Sequence, residues 1–191
     1  LTYERRKLSM AQGLSDLFPE LDWIQNADLR ARVEATWKGG MKQGGWILDD
    51  LPRIPFTLLI PSCPVNLVDH TRAVTQIAVH AADVMVNRCG ATVSVDRDAL
   101  VAGGLLHDVG KLLEYSMDGG TYVKSGAGRY LRHPFSGVAL AAKQGVPDAV
   151  LHIIACHSKE GDLISRTPEA VIVFHADFIV FEASKAALGI G

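Results

Sequence analysis

Of the seven histidines in this 191-residue chain, four fall with two aspartates into a spaced series: His70, His107-Asp108, His133, His157 and Asp177. At its centre stands Gly103-Gly104-Leu105-Leu106-His107-Asp108-Val109-Gly110-Lys111-Leu112-Leu113, an apolar run that leads into an imidazole, a carboxylate and, one turn on, an ammonium. Burying an ionised carboxylate without compensation costs on the order of several kcal/mol, so a metal ion or a hydrogen-bonded cation is expected beside Asp108. Four imidazoles and two carboxylates exceed what one tetrahedral structural zinc takes. They suit two divalent ions a few ångströms apart, with Asp108 able to bridge. His80, His152 and His175 have no matching partners in the series and are expected to be ordinary histidines.

The elements that must position these groups read as helices. Val68 through Arg88 has an amphipathic pattern, with Val74, Ile77, Ala78, Ala81, Val84 and Met85 on one side, Asn66 or Asp69 as a cap and Gly90 as a stop; His70 lies in its first turn. Asp96 or Asp98 opens a helix from Ala99 to about His107, with a short continuation to Tyr115. Residues 116–132, rich in Gly and isolated charges, are expected to form a long loop of the kind that carries function. His133-Pro134 opens the next helix, which Gly145 stops; Pro147 opens another over Asp148 to His157, and Pro168 opens a last one towards Ala187. Each member of the series thus stands at or near the end of a different helix or in its polar interruption, so several helices can each contribute one side chain to a shared pocket.

Before this lies a stretch with no evident chemistry. Leu14 to Ile24 and Ala27 to Trp37 read as helical pieces, broken at Gly39-Gly40 and Gly44-Gly45, with Trp23, Trp37 and Trp46 as packing anchors. Four prolines between Leu51 and Pro64 exclude a continuous helix and predict an extended connector. The expected organisation is a helical N-terminal extension with a Pro-rich connector over residues 1–62, followed by a main domain over 63–191. No strand-period alternation persists and no repeat recurs, so the expected fold class is all-α, a compact helical bundle.

Composition narrows the functional classes. Hydrophobic residues make up 48% and charged residues 21%, which places the chain among globular proteins. A formal net charge of -2, with no basic stripe, argues against a nucleic acid polymer as partner. Cys63, Cys89 and Cys156 are odd in number and lack CxxC spacing, as expected of a reducing cytoplasm. No apolar run is long enough to span a bilayer, and Leu1 to Lys7 lacks an apolar signal core.

The order His70, His107-Asp108, His133, His157, Asp177, with His107-Asp108-Val109-Gly110-Lys111 as an HD-x-G-K element, resembles the HD-domain superfamily of metal-dependent phosphohydrolases over residues of about 65 to 185. The resemblance implies a bundle of the HD-domain type with His70, His107, Asp108 and Asp177 as the shared ligand set. It implies His133 and His157 as the additional ligands of dinuclear members, and two divalent ions drawn from Mn, Fe, Mg, Ni, Co or Zn, iron or manganese favoured. Asp108 and Lys111 are then the catalytic candidates. Lys111 and Arg132 are the candidates for binding a small phosphorylated substrate, with Lys124, Arg129 and Lys159 as possible assistants. The implied reaction is hydrolysis of a phosphomonoester, phosphodiester or nucleotide. Some relatives with the same ligand order use a di-iron centre to activate O2, which makes an oxygenase acting on a phosphonate or polyol-like substrate the rival, and a non-catalytic HD signalling module is the reading from another class. The chain lacks the Gly-Tyr-Pro signature of the cyclic-dinucleotide phosphodiesterase branch.

Overall fold

A computed structural model of the chain describes residues 13–61 and 63–190. The Leu1 to Lys7 stretch considered for a signal core lies outside the described residues. Among the described residues eight α-helices form an all-α bundle: α1 (Leu14–Leu17), α2 (Ala27–Gly44), α3 (Leu67–Cys89), α4 (Arg97–Leu106), α5 (Lys111–Glu114), α6 (His133–Lys143), α7 (Asp148–Cys156) and α8 (Pro168–Ala187). Short 3₁₀ turns and one antiparallel hairpin, β1 (Tyr115–Asp118) and β2 (Thr121–Lys124), complete it.

Helix α4 is the axis of the bundle. Of its ten residues, Ala99 to Leu106 are all buried, so it is apolar on every side and must be packed all round, by α2, α3, α7 and α8. Leu100, Leu105 and Leu106 are fully buried, each worth roughly 1.5–3 kcal/mol of transfer free energy. The predicted caps are in place: the Asn66 side chain accepts from Asp69 N at 2.9 Å, and Asp96 accepts from Ala99 N at 3.0 Å. Asp98, the alternative cap, instead accepts from the amides of Gln25 and Asn26, both at 2.8 Å, and ties the start of α2 to α4.

Several expectations are corrected. Helix α2 runs through Gly39-Gly40 and ends only at Gly45, whose φ of 78° makes it the left-handed stop. The glycines serve close approach rather than breakage: a Cβ at Gly44 would lie 2.1 Å from the Leu112 carbonyl oxygen, and one at Gly40 would lie 2.8 Å from Leu112 Cδ1. The loop expected over 116–132 contains the β1–β2 hairpin, closed by Gly119 and Gly120 at φ 54° and 83°. On α3, Val84 and Met85 are exposed, and Val79 and Ala82 take their place in the core.

The N-terminal residues share this core, since Phe18, Trp37, Leu51 and Ile54 are buried in one cluster with Leu67, Leu100, Ile153 and Val173. Trp37 Nε1 donates to the Leu105 carbonyl at 3.1 Å and Trp46 Nε1 to the Leu112 carbonyl at 2.7 Å, whereas Trp23 lies at the surface. Buried Glu20 accepts from Arg72 Nε and Gln76 Nε2 on α3. The Pro-rich stretch begins as a 3₁₀ turn, Leu48–Arg53, and is then held by a bridge between Pro55 and Asn66.

Candidate metal centre

His107 and His157 reach the centre by the same local device. Each directly follows the last residue of a buried helix, α4 or α7, and each donates Nδ1–H to the carbonyl three residues back, His107 to Gly104 at 2.7 Å and His157 to Ile154 at 2.8 Å. The imidazole satisfies a carbonyl that the helix end leaves open, and the same bond places a proton on Nδ1 and turns Nε2 towards the centre. His133 begins α6, and Glu114 accepts from both its backbone N–H (2.8 Å) and its ring Nδ1 (2.7 Å) through one oxygen, Oε2. His70, one turn into α3, is completely buried, and its Nδ1 has no hydrogen-bond partner among the described residues.

All four Nε2 atoms turn towards Asp108, and they divide between its two oxygens. Oδ2 faces His70 Nε2 at 3.2 Å and His107 Nε2 at 3.4 Å, with those two nitrogens 3.2 Å apart. Oδ1 faces His133 Nε2 at 3.3 Å and His157 Nε2 at 3.7 Å, with those two also 3.2 Å apart. His70, His107 and Asp108 form one compact set that could hold an ion, and Asp108, His133 and His157 form the other. Asp177, from the middle of α8, extends the first set: its Oδ1 lies 3.1 Å from His70 Nε2.

Lone pairs converging on a carboxylate in a buried space repel one another, and only a cation or a shared proton turns that arrangement favourable. The donor set of imidazole and carboxylate is that of first-row divalent ions. The electrostatics carry the same stamp. Burial works against the ionised form of Asp108, but the Lys111 ammonium and the surrounding imidazoles outweigh it and hold its carboxyl well below the usual range. Burial likewise opposes the charge on Asp177, yet His70 draws its pKa down to about 2. Burial disfavours protonated His70, but the carboxylates of Asp108 and Asp177 raise its pKa above the ordinary value. His133 goes the other way: burial, only partly offset by Glu114 and Asp108, lowers it to about 4, so its ring is neutral at pH 7.

The remaining candidates divide by position. Lys111, buried, donates from Nζ to Asp108 Oδ2 and to the Phe56 carbonyl; burial opposes its charge, and Asp108 raises its pKa nevertheless. Arg132 lies at the edge, with Nη1 3.4 Å from Glu114 Oε1 and Nε 3.0 Å from Glu160 Oε1. Lys124 stands 3.9 Å from Glu114 Oε1, while Arg129 and Lys159 are exposed. His80 and His175 are exposed, and His152 Nε2 accepts from Thr167 N at 3.2 Å, next to the cap of α8.

Sequence reasoning missed Glu114 and Phe56. Glu114 had a signal, an acidic group directly after the apolar Leu112-Leu113 that would need a buried partner. Phe56, whose ring stacks on His70 with centroids 4.4 Å apart, had none, being one aromatic in a proline-rich stretch. Glycine at 110 is required by packing, because a Cβ there would lie 2.0 Å from the His133 carbonyl oxygen, so only Gly lets α5 approach α6 closely enough to join the two sets.

A helical bundle whose buried axial helix ends in a His-Asp pair ringed by three more imidazoles defines a metal-binding helical domain. The chain belongs to the HD domain family, whose model matches residues 67–179, more than half of its length. It is 38% identical over 116 residues to a dihydroneopterin 2',3'-cyclic phosphate phosphodiesterase of Methanocaldococcus jannaschii, a match that covers 59% of this chain and 45% of that protein. To a ribonuclease Y of Thermoanaerobacter pseudethanolicus it is 34% identical over 159 residues, covering 82% of this chain and 26% of the relative. To a ribonuclease Y of Aquifex aeolicus it is 33% identical over 112 residues, covering 59% and 16%. The chain therefore spans less than half the length of these relatives. No solved structure matches it. Among the described residues no helix is long and apolar enough to cross a membrane.

Proposed function

We propose that this chain is a metal-dependent phosphohydrolase that cleaves a phosphodiester bond, with His70, His107, Asp108 and Asp177 holding one divalent ion and Asp108, His133 and His157 a second. The observation that carries this reading is the division of four imidazole Nε2 atoms into two pairs, one on each oxygen of Asp108. When bound, two such ions, iron or manganese before other divalent metals, supply Lewis acidity to the phosphoryl oxygens and a water of lowered pKa. The phosphodiester is favoured because the relatives are by name a cyclic phosphate phosphodiesterase and ribonucleases.

The chain's own residues then have distinct tasks. Asp108 would belong to both ligand sets. Lys111 spends two of its three ammonium protons on Asp108 and Phe56, and the third is available for a phosphoryl oxygen. Arg132, held by Glu114 and Glu160, keeps free N–H donors for a second phosphoryl oxygen. The burial of Asp108 and Lys111 keeps these two charges from water and strengthens their interaction. Residues 63–191 constitute the HD domain in this reading, and residues 1–62 a helical extension and connector, of which Phe18, Trp37, Leu51 and Ile54 pack into the same core. The substrate is a small phosphorylated molecule, bound by donors to its phosphate rather than by a basic surface, in keeping with the net charge of -2.

The test is hydrolysis by chelator-stripped protein reloaded with Mn²⁺ under anaerobiosis, offered nucleoside 2',3'-cyclic phosphates, short RNA and phosphomonoesters in parallel. Metal-dependent opening of the cyclic phosphates is expected. Turnover confined to RNA would replace the small substrate by a polymer, and activity seen only with iron and O2 would overturn hydrolysis.

A further inference from the structure

Three of the four histidines at the centre are oriented by a hydrogen bond from Nδ1: His107 to Gly104, His157 to Ile154, His133 to Glu114. His70 is the exception, since its Nδ1 has no acceptor among the described residues although the ring is wholly buried. Something else must keep that imidazole from rotating about its side-chain torsions. The group in place is Phe56, whose ring lies nearly parallel to that of His70, 23° between planes and 4.4 Å between centroids. An offset aromatic stack of this kind holds a ring in plane without using either nitrogen, and leaves Nε2 free.

Phe56 makes a second contact with the centre. Its carbonyl accepts from Lys111 Nζ, the ammonium that also binds Asp108 Oδ2, and Nζ lies 5.6 Å from the centre of the Phe56 ring. Both contacts depend on where the backbone of residue 56 lies, and that backbone is fastened to the start of α3. Leu67 N donates to the Ile54 carbonyl at 2.7 Å, Phe56 N donates to the Val65 carbonyl at 3.4 Å, and Pro55 bridges Asn66, the cap of α3. Phe56 is 1% exposed, and Phe181 of α8 stands against its ring edge-on at 6.2 Å. One segment thus touches the helix that carries His70, the ring of His70 and the ammonium beside Asp108, although it lies outside residues 67–179 that match the family.

We infer that Phe56 is a positioning residue of the metal centre: its ring sets the plane of His70 and its carbonyl seats Lys111, so that the connector before the HD domain is part of the centre it precedes. This rests on the metal reading above. It predicts an asymmetry, because Phe56 serves the set of His70, His107 and Asp108 and does not touch His133 or His157.

The experiment is a Co²⁺ titration of the full chain, chelator-stripped, followed by calorimetry and by the visible absorption of the bound ion. Phe56→Leu and Phe56→Met both keep an apolar side chain of similar size and remove the flat ring. Each is expected to weaken one of two Co²⁺ sites by about 10- to 100-fold, the range for loss of a group that orients a ligand, and to alter the absorption of that site alone. Phe18→Leu is the control for mere loss of packing, since Phe18 is equally buried but packs on Trp37 at 4.7 Å, away from the centre; its two Co²⁺ affinities should match those of the wild type. In the wild-type protein the stack should also place the His70 ring protons upfield of those of the other three histidines by proton NMR. Wild-type binding of two Co²⁺ with unchanged affinity and spectrum in both Phe56 variants overturns this inference alone, as does a His70 resonance with no upfield displacement. A wild-type protein that takes up no Co²⁺ overturns the metal reading and this inference together.

Discussion

Replacing Glu114 by alanine should separate the two metal sets. One carboxylate oxygen accepts both the ring Nδ1–H and the backbone N–H of His133, at 2.7 and 2.8 Å, and the other faces Arg132 at 3.4 Å. Burial opposes the charge on Glu114, but His133 and Arg132 outweigh it and keep its pKa below the ordinary value, so the group is ionised at neutral pH. Deleting it removes the orientation of His133 and the charge that makes its Nε2 a better donor. Loss of such a partner costs about 10- to 100-fold in metal affinity, or roughly 1.4 to 2.8 kcal/mol. The unpaired buried N–H of His133 adds about 1 to 3 kcal/mol to the loss of folding stability. His70 and His107 do not touch Glu114, so the other set should keep its affinity. Calorimetric titration of chelator-stripped protein with Mn²⁺ should therefore show one equivalent bound as in the wild type and a second bound 10- to 100-fold more weakly. Glu114→Gln should fall between, since its amide oxygen still accepts both protons but carries no charge. Two sites of wild-type affinity in a folded Glu114→Ala protein would refute the link between Glu114 and His133.

Asp108→Ala should lose both ions and all hydrolysis, as read by elemental analysis of folded protein. His80→Ala should lose neither, and His152→Ala should keep both while losing about 1 kcal/mol of stability with the acceptor of Thr167 N, a cost measured by denaturant titration. Lys111→Ala should lower kcat/KM on the order of 10² to 10³-fold, the scale for one donor to a charged transition state, with two metals still bound; a change confined to metal content would assign the lysine to the ligands' support instead. In the metal-free protein the raised pKa of His70 stabilises the fold below its ordinary value of 6.5, and that contribution is lost as pH rises through the elevated value. A metal ion must displace that proton, whereas His133, lowered to about 4, has none to displace at pH 6. Acidification from pH 8 to 6 should accordingly weaken the His70 set more than the His133 set, and equal weakening in a pH series of titrations would contradict these assignments.

Helix positions were largely legible in the sequence because their signals are local. The caps Asn66 and Asp96, the stop at Gly145 and the openings at Pro134 and Pro168 depend on residues within a turn of each other. The His-Asp series was legible because polar groups abutting an apolar run need compensation wherever that run is buried. What Gly39-Gly40 does was not legible, since a glycine signals either a break or a close approach, and only the packing of α2 against Leu112 distinguishes them. The hairpin over Tyr115–Lys124 was hidden for a similar reason: two four-residue strands give too short a pattern, and one of them contains the polar Ser116 and Asp118. The pairing of each imidazole with one oxygen of Asp108, the double hold of Glu114 on His133 and the stack of Phe56 on His70 belong to the tertiary structure alone. Apart from that of His107 with its neighbour Asp108, these contacts join residues 14 to 49 positions apart in the chain. Residue type and spacing announce that such groups need partners; which partners they get is decided by how the helices cross.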